Sequence, residues 1–192
     1  YVGASVRIQK LIDTINSHGY GGIEYLYSVP GLVGGAIAMN AGRGKKYKSS
    51  ISDYIIDVHA YIDGDIKILN KEECCFDYRH SIFKNKNYVI LGSTFKFEQI
   101  DIEESTKRRF ERLKLVKNKQ DRSKYNFGTV FMQGDPRIML LMKRIHPGYK
   151  NGVAFSRKTS NWLINYGEGT YEQAIKLIRR VQLLHKILGK KA

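Results

Sequence analysis

The chain has 192 residues, 42% of them hydrophobic, which is enough to bury the core of one compact domain or two small ones and excludes a disordered polypeptide. Its 33 lysines and arginines against 18 aspartates and glutamates give a net charge of +15, which favours an anionic partner such as a nucleic acid, a membrane surface or a phosphorylated small molecule. Because the charges are scattered and no spacing of a known nucleic-acid reader is present, we predict no nucleic-acid partner.

The two cysteines and the apolar runs indicate where the protein works. Cys74 and Cys75 are adjacent, and neighbouring cysteines do not form an ordinary structural disulfide, which favours a reducing compartment. No apolar run reaches the length of a membrane span, and no signal peptide opens the chain. We therefore predict a cytoplasmic protein without a membrane partner.

The first predicted helix covers residues 5–18, with Ser5 as its cap and Gly19 as its stop. A glycine-rich run follows over residues 29–42, in which Pro30 fixes a turn and the glycines allow close backbone approach. Two interpretations are open for this run. It is either a phosphate cradle with free N–H groups at a helix start, or a turn that only packs tightly. Neither GxGxxG nor GxxxxGK[ST] spacing is present.

The next segments alternate in polarity and are predicted as strands. Residues 53–62 and 65–69 are joined by Asp63-Gly64, which is the chemistry of a β-hairpin turn. Residues 88–98 form a further predicted strand. The chain opens at Tyr1, not at a methionine, in what resembles a strand already under way, which favours additional residues upstream.

A charged helix is predicted over residues 102–119 as a connection between two parts of the chain. Beyond it we predict strands at residues 128–132, 152–155 and 162–166, and helices at residues 137–145 and 170–188. Strands and helices mix without a regular βαβ alternation, so the predicted class is α+β. The predicted limits are 1–100 for a first domain, 101–119 for the connecting helix and 120–192 for a second domain.

Polar clusters carry the candidate chemistry. Residues 78–84 gather a phenol, a guanidinium, an imidazole, a hydroxyl and an ammonium, and Arg79 is a natural clamp for a carboxylate, a phosphate or a developing oxyanion. The same run is also compatible with an exposed charged turn. Thr129 follows a glycine and is predicted either to point into a dry cleft or to be buried against backbone. The histidines are dispersed, so we predict no metal site, with His185 at a partly exposed helix position.

Taken together and in this order, these segments resemble the UDP-N-acetylenolpyruvoylglucosamine reductase family, also called UDP-N-acetylmuramate dehydrogenases, of peptidoglycan synthesis. Residues 22–36 resemble the family's flavin-contacting segment, which Asn40-Ala41-Gly42 continues. Residues 76–84 resemble its YR-x-S-x-F-K element. Gln120 followed by residues 128–131 is similar to the KQP…GSVF stretch, and residues 156–165 resemble the S-x-K-x-x-N-F-x-x-N strand entry.

The resemblance implies a flavoenzyme in which NADPH reduces FAD and hydride passes to the enolpyruvyl group of a UDP-sugar, giving UDP-N-acetylmuramate. It implies Arg79 as the catalytic cation and places Thr129 where the family has a proton-donating serine. The implied substrate contacts are Tyr78, Lys84 and Asn161. We also predict a monomer. The implied FAD contacts are Ser28, Pro30, Gly31, Gly34, Gly35, Asn40 and Gly42.

The chain also departs from the family pattern. It has threonine at 129 in place of serine, Asp121 where the family usually has proline, and Met132-Gln133-Gly134 where the family usually has Lys-Asn-Pro. The family's amino-terminal flavin half would precede Tyr1, and its carboxyl-terminal glutamate would follow the last residue, so we expect a chain that lacks both. The alternative hypothesis is a truncated or degenerate non-catalytic relative that binds a nucleotide sugar or a protein partner.

Overall fold

A computed structural model describes residues 1–43, 49–84, 86–121 and 125–191. The chain forms two compact units, which we call unit 1, Tyr1–Leu115, and unit 2, which begins at Val116. Both combine helices with antiparallel sheets, so the predicted α+β class is confirmed. The predicted three-part domain division stays a prediction.

Unit 1 is built on a four-stranded antiparallel sheet in the order β1-β5-β3-β4, with two helices against it and a small two-stranded sheet, β2-β6, beside it. Its elements are β1 Val2–Gly3, α1 Ile8–Ser17, β2 Tyr20–Gly21, α2 Val33–Ala38, β3 Ile55–Ile62, β4 Asp65–Asn70, β5 Val89–Phe95 and β6 Glu98–Gln99, and α3 Ile102–Lys119 continues from it.

The hairpin of β3 and β4 forms as its sequence predicts. Val58, Ala60 and Ile62 alternate along β3 and are buried in the core with α1 and α2. Asp63 and Gly64 have φ of 51° and 97°, the left-handed pair that a two-residue hairpin turn requires. β4 is one of the two edge strands of the sheet, and no described strand pairs with its outer side.

The first helix begins later than predicted. α1 starts at Ile8, and Arg7 occupies its N-cap without a side-chain hydrogen bond, so the predicted Ser5 cap is wrong. The cause is a long-range backbone contact: Arg7 forms a β-bridge with Leu32, and the Val33 N–H donates to the Val6 carbonyl over 2.9 Å. Residues held in this bridge cannot at the same time turn into a helix.

The helix α3 lies where the sequence predicts it. Glu103 and Glu104 stand in its first turn and Lys117 and Lys119 in its last, which complements the helix dipole. Arg109 ties it to α1 by an ion pair with Asp13, 2.6 Å long. Among the described residues, no helix is long and apolar enough to cross a membrane.

Unit 2 packs two helices on a three-stranded antiparallel sheet in the order β7-β9-β8. Its core contains Phe131, Met139, Leu163 and Leu177, all buried. Its elements after α3 are β7 Tyr125–Thr129, α4 Pro136–Ile145, β8 Val153–Phe155, β9 Trp162–Asn165 and α5 Tyr171–Ile187.

Two predictions in unit 2 were wrong. The strand predicted at residues 128–132 instead starts at Tyr125 and ends at Thr129, and Gly128, at φ 65°, lies inside it at a register shift. His185 is 1% exposed instead of partly exposed. Its Nε2 accepts from the Asp135 N–H (2.9 Å), and its Nδ1 lies 2.8 Å from the Val181 carbonyl, so the ring joins α5 to the start of α4.

Candidate functional site

The glycine-rich segment forms α2, and the N–H groups at the start of this helix already have partners. The Val33 N–H donates to the Val6 carbonyl and the Gly34 N–H donates to the Ala4 carbonyl, each over 2.9 Å. A Cβ on Gly34 would lie 2.9 Å from the Ala4 Cβ. The hypothesis of free N–H groups is therefore wrong for these two residues, and tight packing accounts for the glycine at 34.

Other glycines of the segment face open space. A Cβ built on Gly31 or Gly35 meets nothing within 4 Å, and both residues are exposed. Pro30, next to Gly31, is exposed as well. This side of the segment presents bare backbone to which a flat ring system can lie close.

Ser28, before the glycine-rich turn, is held by a residue that the sequence analysis did not single out. Its hydroxyl accepts from Nε of Arg112 on α3, 2.7 Å away. Burial, together with the nearby charge of Arg43, lowers the pKa of Arg112. Arg112 was missed because it lies among many charged residues of α3, where nothing local separates it from a solvated arginine.

Arg79 is anchored to the end of the glycine-rich segment. Its backbone takes a left-handed φ of 55°, and its Nη2 donates to the Gly42 carbonyl over 2.9 Å. Its Nη1 lies 3.5 Å from the Asn40 carbonyl. A Cβ on Gly42 would collide with the Ser49 carbonyl, so close backbone packing holds this end in place.

Further hydrogen bonds fix the loop that carries Arg79. Asn40 is 6% exposed and its Nδ2 donates to the Asp77 carbonyl (3.0 Å), while the Ser81 hydroxyl donates to the Ala38 carbonyl (2.7 Å). The loop is therefore not a freely solvated turn. The exposed members of the loop are Asp77, Tyr78, His80 and Lys84, and the Lys84 ammonium donates to the Arg79 carbonyl over 3.3 Å.

A cavity of about 410 Å³ opens beside Arg79. Tyr78, 38% exposed, lines it, and the Arg79 guanidinium lies 5.5 Å from the centre of the Tyr78 ring. The Ser50 N–H donates to the Asp53 carboxylate over 2.9 Å. This S-x-x-D pattern is a capping signal in the sequence, and it could have drawn attention to the residues around it that line the cavity. The missed lining residues are Ser49, Ser50, Ser52, Asp53 and Lys71.

In unit 2, Thr129 lies exposed at the end of β7, so neither the dry-cleft nor the buried prediction describes it. Its hydroxyl oxygen accepts from the Trp162 indole N–H over 3.2 Å. Because an indole N–H can only donate, the Thr129 hydroxyl keeps its own proton available.

Asn161 has a structural task next to Thr129. Its Nδ2 donates to the Phe131 carbonyl (2.7 Å), and its Oδ1 accepts from the Phe131 N–H (2.9 Å). The amide therefore holds the backbone that follows β7, two residues beyond Thr129. A direct substrate contact by Asn161 stays a prediction.

The unusual Asp121 is buried and stabilises a turn. Its carboxylate accepts from the Ser156 hydroxyl over 2.8 Å. The Ser156 oxygen in turn accepts from the N–H groups of Lys158 and Thr159, at 3.1 and 2.9 Å. The departure from proline at this position thus has a hydrogen-bonding role.

In the described parts of both units, no group of three or more His, Cys, Asp or Glu residues is placed to hold a metal ion.

Within unit 1 the structure brings together Asn40, Gly42, Tyr78 and Arg79, with Lys84 at the loop end. Within unit 2 it brings together Thr129 and Asn161, because the Val130 N–H donates to the Asn161 carbonyl over 3.0 Å. The roles assigned to these residues stay predictions, while their placement shows how each is held.

No model of a protein family matches the chain, but individual known proteins do. It is 33% identical over 186 residues to a UDP-N-acetylenolpyruvoylglucosamine reductase of Fervidobacterium nodosum, covering 94% of this chain and 59% of that protein. It is also 33% identical over 185 residues to the enzyme of that name from Pediococcus pentosaceus, covering 93% of this chain and 60% of that protein.

A solved structure shows the same fold. The crystal structure of UDP-N-acetylenolpyruvylglucosamine reductase from Thermus caldophilus matches with a TM-score of 0.78 and 27% identity, over 95% of this chain and 67% of that one. The chain spans about 60% of the length of the curated relatives that it matches.

The fold and the two residue clusters define a two-unit α+β protein in which a glycine-rich segment is backed by an anchored arginine loop. The matches agree with the resemblance found in the sequence over nearly the whole chain. Over nearly its whole length the chain is similar to UDP-N-acetylenolpyruvoylglucosamine reductases.

Proposed function

We propose that the chain is part of an FAD-dependent, NADPH-using reductase that converts the enolpyruvyl group of UDP-N-acetylglucosamine enolpyruvate into the lactyl ether of UDP-N-acetylmuramate. The observation that carries this proposal is the anchoring of Arg79 on the Gly42 carbonyl, 2.9 Å away, in a chain similar to these reductases. The guanidinium is thereby tied to the end of the glycine-rich segment.

The glycine-rich segment fits a flavin at Gly31 and Gly35, where exposed backbone without a Cβ leaves room for a flat ring system. Pro30 and Ser28 would position the backbone that leads into this surface. Arg112 fixes the Ser28 hydroxyl. The chemistry that a bound FAD supplies is hydride transfer, with NADPH as the source.

Arg79 is proposed to bind the substrate carboxylate and to stabilise the negative charge that develops there. Two carbonyl acceptors, on Gly42 and Asn40, orient its guanidinium before substrate arrives. Orientation in advance lowers the cost of reorganisation in the transition state. Tyr78 and Lys84, on the same loop, are the proposed neighbouring substrate contacts.

Thr129 is proposed to hold the proton that reaches the substrate carbon. The Trp162 N–H occupies an acceptor site of the hydroxyl oxygen and leaves the hydroxyl proton to be donated. The hydrogen bond from Trp162 also fixes the Thr129 side chain, because a β-branched residue has few χ1 rotamers. This favours an active enzyme over the non-catalytic alternative.

The test measures NADPH oxidation by the protein that carries this chain, with and without the enolpyruvyl UDP-sugar. We expect oxidation that depends on the substrate and a protein that binds FAD. Arg79→Lys keeps the charge but loses the two-pronged guanidinium, so kcat should fall by about 10²–10³-fold. Arg108→Lys, on the exposed face of α3, is the matched control and should keep full activity.

Two outcomes would count against the enzyme. Equal turnover in Arg79→Lys and Arg108→Lys would remove Arg79 from catalysis. A protein that binds UDP-N-acetylmuramate but neither binds FAD nor oxidises NADPH would establish the non-catalytic relative instead.

A further inference from the structure

Unit 2 carries most of the positive charge of the chain. Its sequence, residues 116–192, has 16 lysines and arginines against four aspartates and glutamates, whereas the whole chain has 33 against 18. A surface of one sign attracts a partner of the other, and no anionic partner has been assigned to the helices of this unit. The last helix, α5, shows where such a partner fits.

α5 has one buried side and one exposed side. Ala174, Leu177, Val181 and His185 recur at helical spacing and lie in the core of unit 2. The other side is exposed, and we call it the α5 face. It consists of Lys176, Arg179, Arg180, Leu183, Lys186 and Ile187.

Two large aliphatic side chains stand uncovered among the cations of the α5 face. Leu183 is 58% exposed and Ile187, one turn further, is 68% exposed. On a helix the neighbours of Leu183 on its own face are the residues three and four positions away. Three of them are the cations Arg179, Arg180 and Lys186. Solvation explains exposed cations, but it does not explain aliphatic side chains that are exposed between them.

The helix beside α5 repeats this pattern. α4 shares the core of unit 2 with α5 and contains no acidic residue. Its exposed aliphatic residues are Leu140, Leu141 and Ile145, and its exposed cations are Arg137 and Arg144. The two helices therefore present the same combination of cations and aliphatic side chains to the outside.

This combination is typical of helices that lie in the interface of a lipid bilayer. Such helices place lysine and arginine beside long apolar side chains, and the apolar side chains enter the boundary between headgroups and acyl chains. Anionic headgroups attract the cations at the same time. A convex helix face needs no shaped groove to bind a bilayer, because the lipids rearrange around it.

The other classes of anionic partner fit the α5 face less well. A nucleic acid binds cations through its phosphates but gives exposed aliphatic side chains nothing to bury against. The centre of a protein interface is usually rich in aromatic residues and poor in lysine. The α5 face has two lysines and no aromatic ring.

We propose that unit 2 binds the surface of an anionic lipid bilayer through the α5 face, with Leu183 and Ile187 among the headgroups and the neighbouring cations on lipid phosphates. The prediction of no membrane partner considered only segments that span a membrane, and a helix that lies on a surface needs no such segment. The proposal does not depend on the proposed catalytic function.

The test is co-sedimentation of the 192-residue chain with two kinds of vesicle, pure phosphatidylcholine and phosphatidylcholine with about 30% phosphatidylglycerol. We expect binding to the anionic vesicles only. The affinity should fall by about tenfold between roughly 50 mM and 500 mM NaCl, because salt screens the charge of the lipid surface.

One pair of variants tests the aliphatic contacts. Leu183→Gln/Ile187→Gln leaves the net charge unchanged and should weaken binding to anionic vesicles by about tenfold or more. The matched control is Ile66→Gln/Ile68→Gln on β4 of unit 1, where two isoleucines are 69% and 62% exposed. This control should change the affinity by less than about twofold.

A second pair tests the charges. Lys176→Gln/Lys186→Gln removes two cations of the α5 face and should weaken binding by about tenfold. The control Lys107→Gln/Lys114→Gln removes two exposed lysines of α3 and should weaken it by less than about threefold. All these positions are exposed, and equal melting temperatures verify that the fold is kept. Because the two α5 variants are independent, either one decides alone if the other fails to fold.

Several results would overturn the proposal. These are no sedimentation with anionic vesicles, equal sedimentation with pure phosphatidylcholine, unchanged binding by the α5 variants, or an equal loss in the controls. Parallel titrations with a DNA duplex and with polyglutamate, and gel filtration of the chain, examine the other partners. Binding of either polymer, or self-association, that requires Leu183 and Ile187 while vesicles stay unbound would assign the α5 face to that partner and reject the membrane.

Discussion

At the scale of single residues, Thr129 shows how one hydrogen bond can leave a hydroxyl able to donate its own proton. The Trp162 indole lies 3.2 Å from its oxygen as a donor, so the proton that remains on Thr129 is the one that can be given away. The methyl group by which threonine differs from the family's serine limits rotation about χ1. The substitution is thus compatible with an active hydroxyl.

This geometry predicts the behaviour of two variants at 129. Thr129→Val has nearly the same shape without the hydroxyl, so turnover should fall by about 10²–10⁴-fold while the melting temperature stays close to that of the parent. Thr129→Ser should retain turnover within roughly tenfold. Steady-state NADPH oxidation and a thermal melt measure both. Full activity in Thr129→Val would show that another group supplies the proton.

The adjacent thiols Cys74 and Cys75 differ in environment. Cys74 is buried and Cys75 is exposed, and both are free. Burial, with the nearby carboxylate of Glu73, raises the pKa of Cys74 to about 12. We expect iodoacetamide at mildly alkaline pH to label Cys75 and to spare Cys74 in the folded protein, because the thiolate is the reacting form.

Peptide mass spectrometry after a timed alkylation reads out this difference. In urea both cysteines should react, which serves as the control. Equal labelling of the two residues in the folded state would contradict the burial of Cys74.

At the scale of elements, the packing of α2 on the chain before α1 depends on one missing side chain. Gly34 approaches Ala4 to a distance at which a Cβ cannot fit, whereas Gly35, next in the same helix, faces open space. Gly34→Ala should lower the free energy of unfolding by about 1–3 kcal/mol. Gly35→Ala should raise it by up to about 1 kcal/mol, because alanine is the better helix former.

Urea denaturation measures both changes. The double variant Ala4→Gly/Gly34→Ala should recover part of the loss, since it removes the atom with which the new Cβ collides. A Gly34→Ala protein as stable as the parent would show that α2 shifts freely at this point.

Elements with local sequence signals were predicted correctly. The Asp63-Gly64 turn, α3 and the last helix, capped by Thr170, each follow from residues close together in the chain. The start of α1 depends instead on a bridge between Arg7 and Leu32, 25 residues apart in the chain numbering. Such pairings leave no trace in a window of neighbouring residues.

The residues of the candidate site also divide into those with a local sequence signal and those without one. Arg79 and Thr129 were singled out because they lie in motifs, but the hydrogen bonds that orient them come from distant positions. Arg112 and the buried His185 lack any local sign of their role, since a charged residue on a helix usually lies in solvent. Their partners, Ser28 and the Asp135 N–H, become visible only in the folded chain.

At the scale of the whole molecule, the two units should respond differently to alkali. Burial raises the pKa of three acids in unit 1, Tyr25, Tyr54 and Cys74. Above the ordinary pKa of these groups the unfolded chain loses protons that the folded chain retains, so the stability of unit 1 must fall as the pH rises. In unit 2, the lowered pKa of Lys143 acts in the opposite sense.

We therefore expect unit 1 to unfold at a lower temperature at pH about 10–11 than at pH 7, with a smaller change in unit 2. The chain has one tryptophan, Trp162, and its fluorescence reports on unit 2. Circular dichroism reports on both units. The prediction is contradicted if the fluorescence and circular dichroism melts coincide at pH 7 and also at pH about 10–11. Cys74→Ala should make the alkaline decrease in the melting temperature of unit 1 smaller.

The edge strand β4 has a practical consequence for the handling of this protein. Ile66 and Ile68 are 69% and 62% exposed on it, beside a row of backbone groups that no described strand pairs. Strands of this kind recruit further strands from other molecules and seed aggregates. Lys67, placed between the two isoleucines, is then a safeguard of solubility, and an engineered form with a neutral residue there should precipitate at concentrations that the parent tolerates.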